Sequence, residues 1–123
     1  MAVYAILFPM IRIYHNPRCS KSRNALALLE QHGQPFEVVN YLETPPSADE
    51  LRALLSQLRI TSRQLLRTGE EEYQSLHLSD PTLDDEALIA AMVTHPRLIE
   101  RPIVVANGKA VIGRPPELVQ DIL

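Results

Sequence analysis

Ile11-Arg12-Ile13-Tyr14-His15-Asn16-Pro17-Arg18-Cys19-Ser20-Lys21-Ser22-Arg23-Asn24 passes from strand-like residues through a turn into a helical stretch, and it carries the only cysteine of the chain. Ile11-Arg12-Ile13-Tyr14 reads as a strand because β-branched and aromatic residues dominate it. A helix is predicted from about Ser22 to His32, with His32-Gly33 as its stop. Pro35-Phe36-Glu37-Val38-Val39-Asn40-Tyr41 is a second strand, so this part of the chain forms a β-α-β unit whose two strands run parallel. A thiol at the start of the helix faces unpaired amide donors and the positive end of the helix dipole, both of which favour thiolate. A lone cysteine closes no intramolecular disulfide, so redox work at Cys19 takes its second thiol from another molecule.

Beyond the β-α-β unit, Thr44-Pro45-Pro46 breaks the chain and Ser47-Ala48-Asp49-Glu50 is a capping box ahead of Leu51, Leu54, Leu55 and Leu58 at helical spacing. Thr61-Ser62-Arg63-Gln64 repeats the start signal before Leu65-Leu66-Arg67, and Thr68-Gly69 ends that short helix. Leu83, Ala87, Leu88, Ala91 and Met92 make a further apolar stripe, closed by His95-Pro96. Ile103-Val104-Val105 and Ala110-Val111-Ile112 are strands joined through Asn107-Gly108, a tight-hairpin dipeptide. Pro115-Pro116 opens a last helix running to Leu123. The predicted fold is α/β: a four-stranded mixed sheet with flanking helices and a helical insertion over about residues 47–96.

The chain has 123 residues, 46% of them hydrophobic, which suits one compact domain over residues 11–123. Residues 1–10 are apolar, yet they carry no basic start and no small-residue cleavage site and are too short to span a bilayer, so an N-terminal extension is expected there. Four scattered histidines and one cysteine offer no metal-ligand spacing. The formal charge of −3, with Lys and Arg interspersed among Asp and Glu, excludes the basic field that binds nucleic acid non-specifically. No nucleic-acid, membrane or metal partner is therefore expected; the expected setting is a reducing cytoplasm, and the expected state a monomer.

The residues around Cys19 form a polar, turn-rich, electropositive loop, in which an exposed, activated thiol is expected rather than an inert buried one. Ser22 stands where a Cys-x-x-Cys enzyme carries its resolving thiol; its hydroxyl suits capping of helix amides or donation to a bound oxyanion. Arg67, Arg101 and Arg114 each sit beside a chain break. Their spacing is equally compatible with solvated side chains and with a convergent oxyanion site built from planar guanidinium forks. His15, at the end of the first strand, suits either tuning of the thiol or simple packing.

His15-Asn16-Pro17-Arg18-Cys19-Ser20-Lys21-Ser22-Arg23-Asn24, Tyr41-Leu42-Glu43-Thr44-Pro45-Pro46-Ser47, Leu65-Leu66-Arg67, His95-Pro96, Arg101-Pro102-Ile103-Val104-Val105 and Arg114-Pro115-Pro116-Glu117 together resemble the glutaredoxin-coupled arsenate reductase family. The resemblance runs from Ile11 to Leu123 and departs from well-studied members mainly at Ser20-Lys21-Ser22. It implies a thioredoxin-like fold and reduction of arsenate to arsenite with glutathione as co-substrate, glutaredoxin as partner and no bound cofactor. It also implies that Cys19 attacks arsenate, that His15 helps set the thiol's ionisation, and that Arg67, Arg101 and Arg114 hold the oxyanion. Two other classes stay open: a glutathione-dependent thiol oxidoreductase with another substrate, and a protein-binding regulator similar to the Spx branch, against which Ser22 argues because that branch commonly carries a Cys-x-x-Cys switch.

Overall fold

The computed structural model describes residues 11–123; the N-terminal extension expected over residues 1–10 lies outside them. By contacts the chain divides into two compact units, a sheet unit of residues 11–40 with 101–123 and a helical unit of residues 41–100.

In the sheet unit, β1 (Ile11–His15) is followed by helix α1 (Ser20–His32) and β2 (Phe36–Asn40), and the chain returns to this unit for β3 (Ile103–Ala106) and β4 (Lys109–Ile112). The sheet order is β2-β1-β3-β4, with β1 parallel to β2 and antiparallel to β3. Register sets Ile13 opposite Val104 and Ile11 opposite Ala106, so these four side chains share one face. That face packs against Ala25 and Leu29 of α1 and against Val119 and Ile122 near the C-terminus, forming the core of the unit. α1 ends where the sequence predicts: Gly33 takes φ +86° and its amide donates to Leu29 O. The β3-β4 turn holds Asn107 at φ 55° and Gly108 at φ 75°, the paired positive angles that suit the twist of a tight hairpin.

The terminal helix has a 3₁₀ form over Pro116–Ile122. Its buried residues, Pro116, Val119 and Ile122, recur every three positions, and the three-residue turn places them on one edge against the sheet.

The helical unit contains α2 (Ala48–Leu58), α3 (Ser62–Leu65), α4 (Glu71–Ser75), α5 (Asp85–Thr94) and a 3₁₀ turn at Pro96–Leu98. Both start signals cap their helices: Ser47 Oγ accepts from the Glu50 amide, and Thr61 and Gln64 exchange both bonds of a capping box. Asp84, which the apolar stripe does not reveal, caps α5 by accepting from the Ala87 amide at 2.9 Å. α4 is five residues with none buried, so no apolar periodicity announces it.

Candidate active site

Asn16 shapes the loop between β1 and α1. Its side-chain oxygen accepts from the Arg18 amide at 3.0 Å, and its carbonyl accepts from the Cys19 amide at 3.0 Å, a local turn that Asn before Pro favours. Arg23 fastens the outer side of the loop by donating from Nη1 to the Pro17 carbonyl at 2.9 Å. Cys19 is left extended, at φ −98° and ψ 123°, as the N-cap of α1, and its carbonyl accepts the Arg23 amide, the first bond of the helix. Asn16 is buried and was not singled out from sequence.

The sulfur is not the exposed thiol that the loop composition predicts, because Cys19 is only 8% exposed. Arg114 donates to it from Nη2 at 3.6 Å. Burial pushes the thiol pKa up, but the Ser22 amide, the Arg101 guanidinium and the Lys21 amide outweigh it and leave the pKa below that of an ordinary thiol. The two amides act on the sulfur without closing a conventional side-chain cap hydrogen bond.

Two arginines reach this sulfur because the chain folds back on itself. The Gly113 amide donates to Pro102 O at 2.8 Å, and Arg114 Nε donates to Arg101 O at 2.7 Å. The approach is close enough that a Cβ on Gly113 would stand 3.0 Å from Pro102 Cγ and 3.4 Å from Val119 Cγ2. Both Arg101-Pro102 and Arg114-Pro115 are cis, a state the sequence does not disclose.

His15 acts on Ser22 rather than on the sulfur. Its Nδ1 lies 2.6 Å from Ser22 Oγ, which also accepts the Asn16 amide at 2.9 Å. Burial first, and then the charge of Arg23, hold the His15 pKa below its ordinary value, against an opposing hydrogen bond to the Ser22 backbone. The lowered pKa favours the neutral ring, whose Nδ1 edge is held on Ser22 Oγ. Ser22 is fully buried. It neither caps the helix with its hydroxyl nor faces solvent; it ties β1 to the first turn of α1.

Arg67 belongs to the helical unit. A bridge between Leu66 and Ile99 brings it beside Glu100, with the Arg67 amide on Leu98 O and the Glu100 amide on Leu65 O. Its guanidinium donates from Nη1 to Glu100 at 2.5 Å and from Nε to Glu70 at 3.3 Å. Burial alone would lower its pKa, but Glu100 and then Glu70 keep it raised. Arg97 also pairs with Glu70, at 3.1 Å. The structure thus gathers Cys19, His15, Arg101 and Arg114 in the sheet unit and clasps Arg67 between two carboxylates in the helical unit. Sequence reasoning missed Glu70 and Glu100; the only signals were the i,i+3 spacing from Arg67 and the position next to Arg101.

Among the described residues, no cluster of His, Cys, Asp and Glu could hold a metal ion. No helix among them is long and apolar enough to cross a membrane.

Residues 14–122 match the ArsC family. An uncharacterised Escherichia coli K12 protein, YfgD, is 59% identical over 114 residues, covering 92% of this chain and 96% of that protein. An arsenate reductase of Neisseria meningitidis is 51% identical over 116 residues, covering 94% of this chain and 99% of that protein. The solved structure of an arsenate reductase from Vibrio cholerae superposes with a TM-score of 0.89 at 56% identity, covering 92% of this chain and 97% of that one. The mixed sheet with flanking helices is thioredoxin-like, as predicted. With the family match over residues 14–122, relatives at about half identity along nearly the whole chain and the same fold in solved arsenate reductases, this chain, with its cysteine at a helix start near two arginines, belongs to the ArsC family.

Proposed function

We propose that this protein reduces arsenate to arsenite through a covalent intermediate on Cys19, with glutathione and glutaredoxin supplying the electrons in a reducing cytoplasm. The observation that carries the reading is the Cys19 sulfur, held toward thiolate by Arg101 and the first amides of α1 with Arg114 at 3.6 Å. Arsenate reductases at about half identity to this chain support the substrate. A thiolate and an oxyanion repel each other, so attack needs cations on both, and Arg101 and Arg114 supply them.

The electrons balance as follows. The Cys19 thiolate forms an S–As bond to arsenate, and one arsenic oxygen leaves as water. Glutathione replaces a second oxygen, giving arsenic with two sulfur ligands. A glutaredoxin thiolate then attacks the glutathione sulfur, forming a mixed disulfide and leaving the electron pair of the broken S–As bond on arsenic, which becomes trivalent. Water cleaves the remaining bond to Cys19, releasing arsenite and the thiol. His15 and Ser22 act as positioning residues that fix the first turn of α1 under the sulfur.

The assay is arsenate-dependent NADPH oxidation coupled through glutathione, glutaredoxin and glutathione reductase. Turnover is expected to fall to background in Cys19→Ser and by about 10²- to 10³-fold in Arg101→Ala, the scale on which loss of one charge-stabilising donor acts. Wild-type turnover no higher than that of Cys19→Ser sinks the arsenate assignment. A second reading, a glutathione-dependent oxidoreductase of another substrate, is favoured by one feature: Arg67, assigned to the oxyanion by the resemblance, is already clasped by Glu70 and Glu100. If Arg67 does bind arsenate, Arg67→Ala raises the KM for arsenate.

A further inference from the structure

Two of the cations nearest Cys19 have no part in holding the fold. Arg18 and Lys21 are exposed, and neither side chain makes a hydrogen bond or ion pair among the described residues. The third cation of the loop, Arg23, differs, because its guanidinium is engaged on the Pro17 carbonyl. No Asp or Glu occurs between Ile11 and Leu29, so Arg18 and Lys21 lack a local counter-charge.

Charge that is interspersed along the sequence separates between the units. The sheet unit holds seven Lys or Arg against four Asp or Glu, a formal +3, and the helical unit five against eleven, a formal −6. The nucleophile of a net acidic protein therefore sits in a cationic unit, with loose cations on both sides of it in the chain.

We propose that Arg18 and Lys21 form a docking rim for the anionic thiol that reacts at Cys19, pairing with the carboxylates of a glutathione-type peptide. This rests on the reading that an external thiol completes the chemistry at Cys19. A small oxyanion meets Arg101 and Arg114 at the sulfur and has no need of a rim. A peptide thiol must extend the rest of itself over the surface beside the buried sulfur, and glutathione carries a carboxylate on each side of its central thiol. Exposed cations immediately before Cys19 and two residues after it match that arrangement of charge.

The test uses the full chain and no arsenate. The Cys19 thiolate attacks a disulfide, forming a mixed disulfide and expelling one thiolate. Rates are measured with oxidised glutathione (anionic), 2-hydroxyethyl disulfide (neutral) and cystamine (cationic), for wild type and for the Arg18→Gln/Lys21→Gln double variant. Dividing each rate by that for the neutral probe removes any change in the nucleophile itself. The relative rate with oxidised glutathione is expected to fall about fivefold in the double variant, the scale of two solvent-exposed charge pairs, while that of cystamine rises. In wild type the glutathione preference is expected to shrink as salt is raised. A relative rate unchanged by the double substitution, or indifferent to salt, overturns the rim. A fall in the relative rate in a protein that fails to reduce arsenate upholds the rim and removes only the arsenate assignment. No reaction of Cys19 with any of the three disulfides overturns both.

Discussion

α1 and α5 begin under opposite electrostatic rules. α5 follows the common one, with an Asp84 oxygen on the Ala87 amide and Asp85 and Glu86 in its first turn. α2 does the same with Ser47, Asp49 and Glu50. α1 has a sulfur at its N-cap, no acid in its first turn, and Lys21 in their place. Negative charge at a helix start relieves the dipole, so α1 gives up stability that α2 and α5 collect. The amides left over are those that draw Cys19 toward thiolate. The arginines divide in the same way: Arg67 is spent on two carboxylates, whereas Arg114 is turned to a sulfur.

The largest effect on stability is expected at Arg67. Removing it by Arg67→Ala leaves Glu70 and Glu100, both largely covered, without their shared partner, and a loss of about 1–3 kcal/mol in urea unfolding is expected, short of the full buried-pair figure because some solvent reaches the cluster. A loss no larger than that of Arg18→Gln, measured alongside, would erase the contrast between structural and chemical arginines. Next come the helix starts. Asp84→Ala is expected to cost about 1 kcal/mol as a lost cap, and Lys21→Glu to add about 0.3–1 kcal/mol by satisfying the α1 dipole. Lys21→Glu should at the same time slow alkylation of Cys19 at neutral pH; a faster reaction would break the proposed exchange of stability for reactivity.

The smallest effect concerns His15. Its folded pKa is depressed, so the unfolded chain takes up the proton more readily, and the neutral ring contributes stability that is present above the ordinary histidine pKa. That stability is lost as pH falls from the ordinary value through the folded one. Ring titration followed by NMR is expected to show a midpoint below that of an unstructured histidine, and a midpoint at or above it contradicts the neutral ring on Ser22.

Much of this was legible from local pattern. The β-α-β unit, the Gly33 stop, the Asn107-Gly108 hairpin and the capping signals at Ser47 and Thr61 each depend on residues within a few positions, and all appear in the structure. The 3₁₀ form of Pro116–Ile122 was not legible, because its three-residue spacing emerges only against the sheet core. The polar α4 had no apolar stripe to betray it. In the site, Cys19 announced itself by its position, but neither its burial nor its Arg114 partner did, the latter arriving from ninety-five residues away. The His15-Ser22 bond likewise needs the end of β1 and the first turn of α1 to be placed side by side, which composition does not specify. Glu70 and Glu100 read as ordinary surface acids until the Leu66-Ile99 bridge sets them around Arg67.

The most direct test of the central claim, that the start of α1 and Arg101 draw Cys19 toward thiolate, is the pH dependence of iodoacetamide alkylation in wild type and Arg101→Ala. The wild-type midpoint is expected below that of an ordinary thiol, and the variant midpoint is expected to move upward as one of the opposing causes is withdrawn and burial gains weight. A wild-type midpoint at or above the ordinary thiol value, or one indifferent to Arg101, would contradict it.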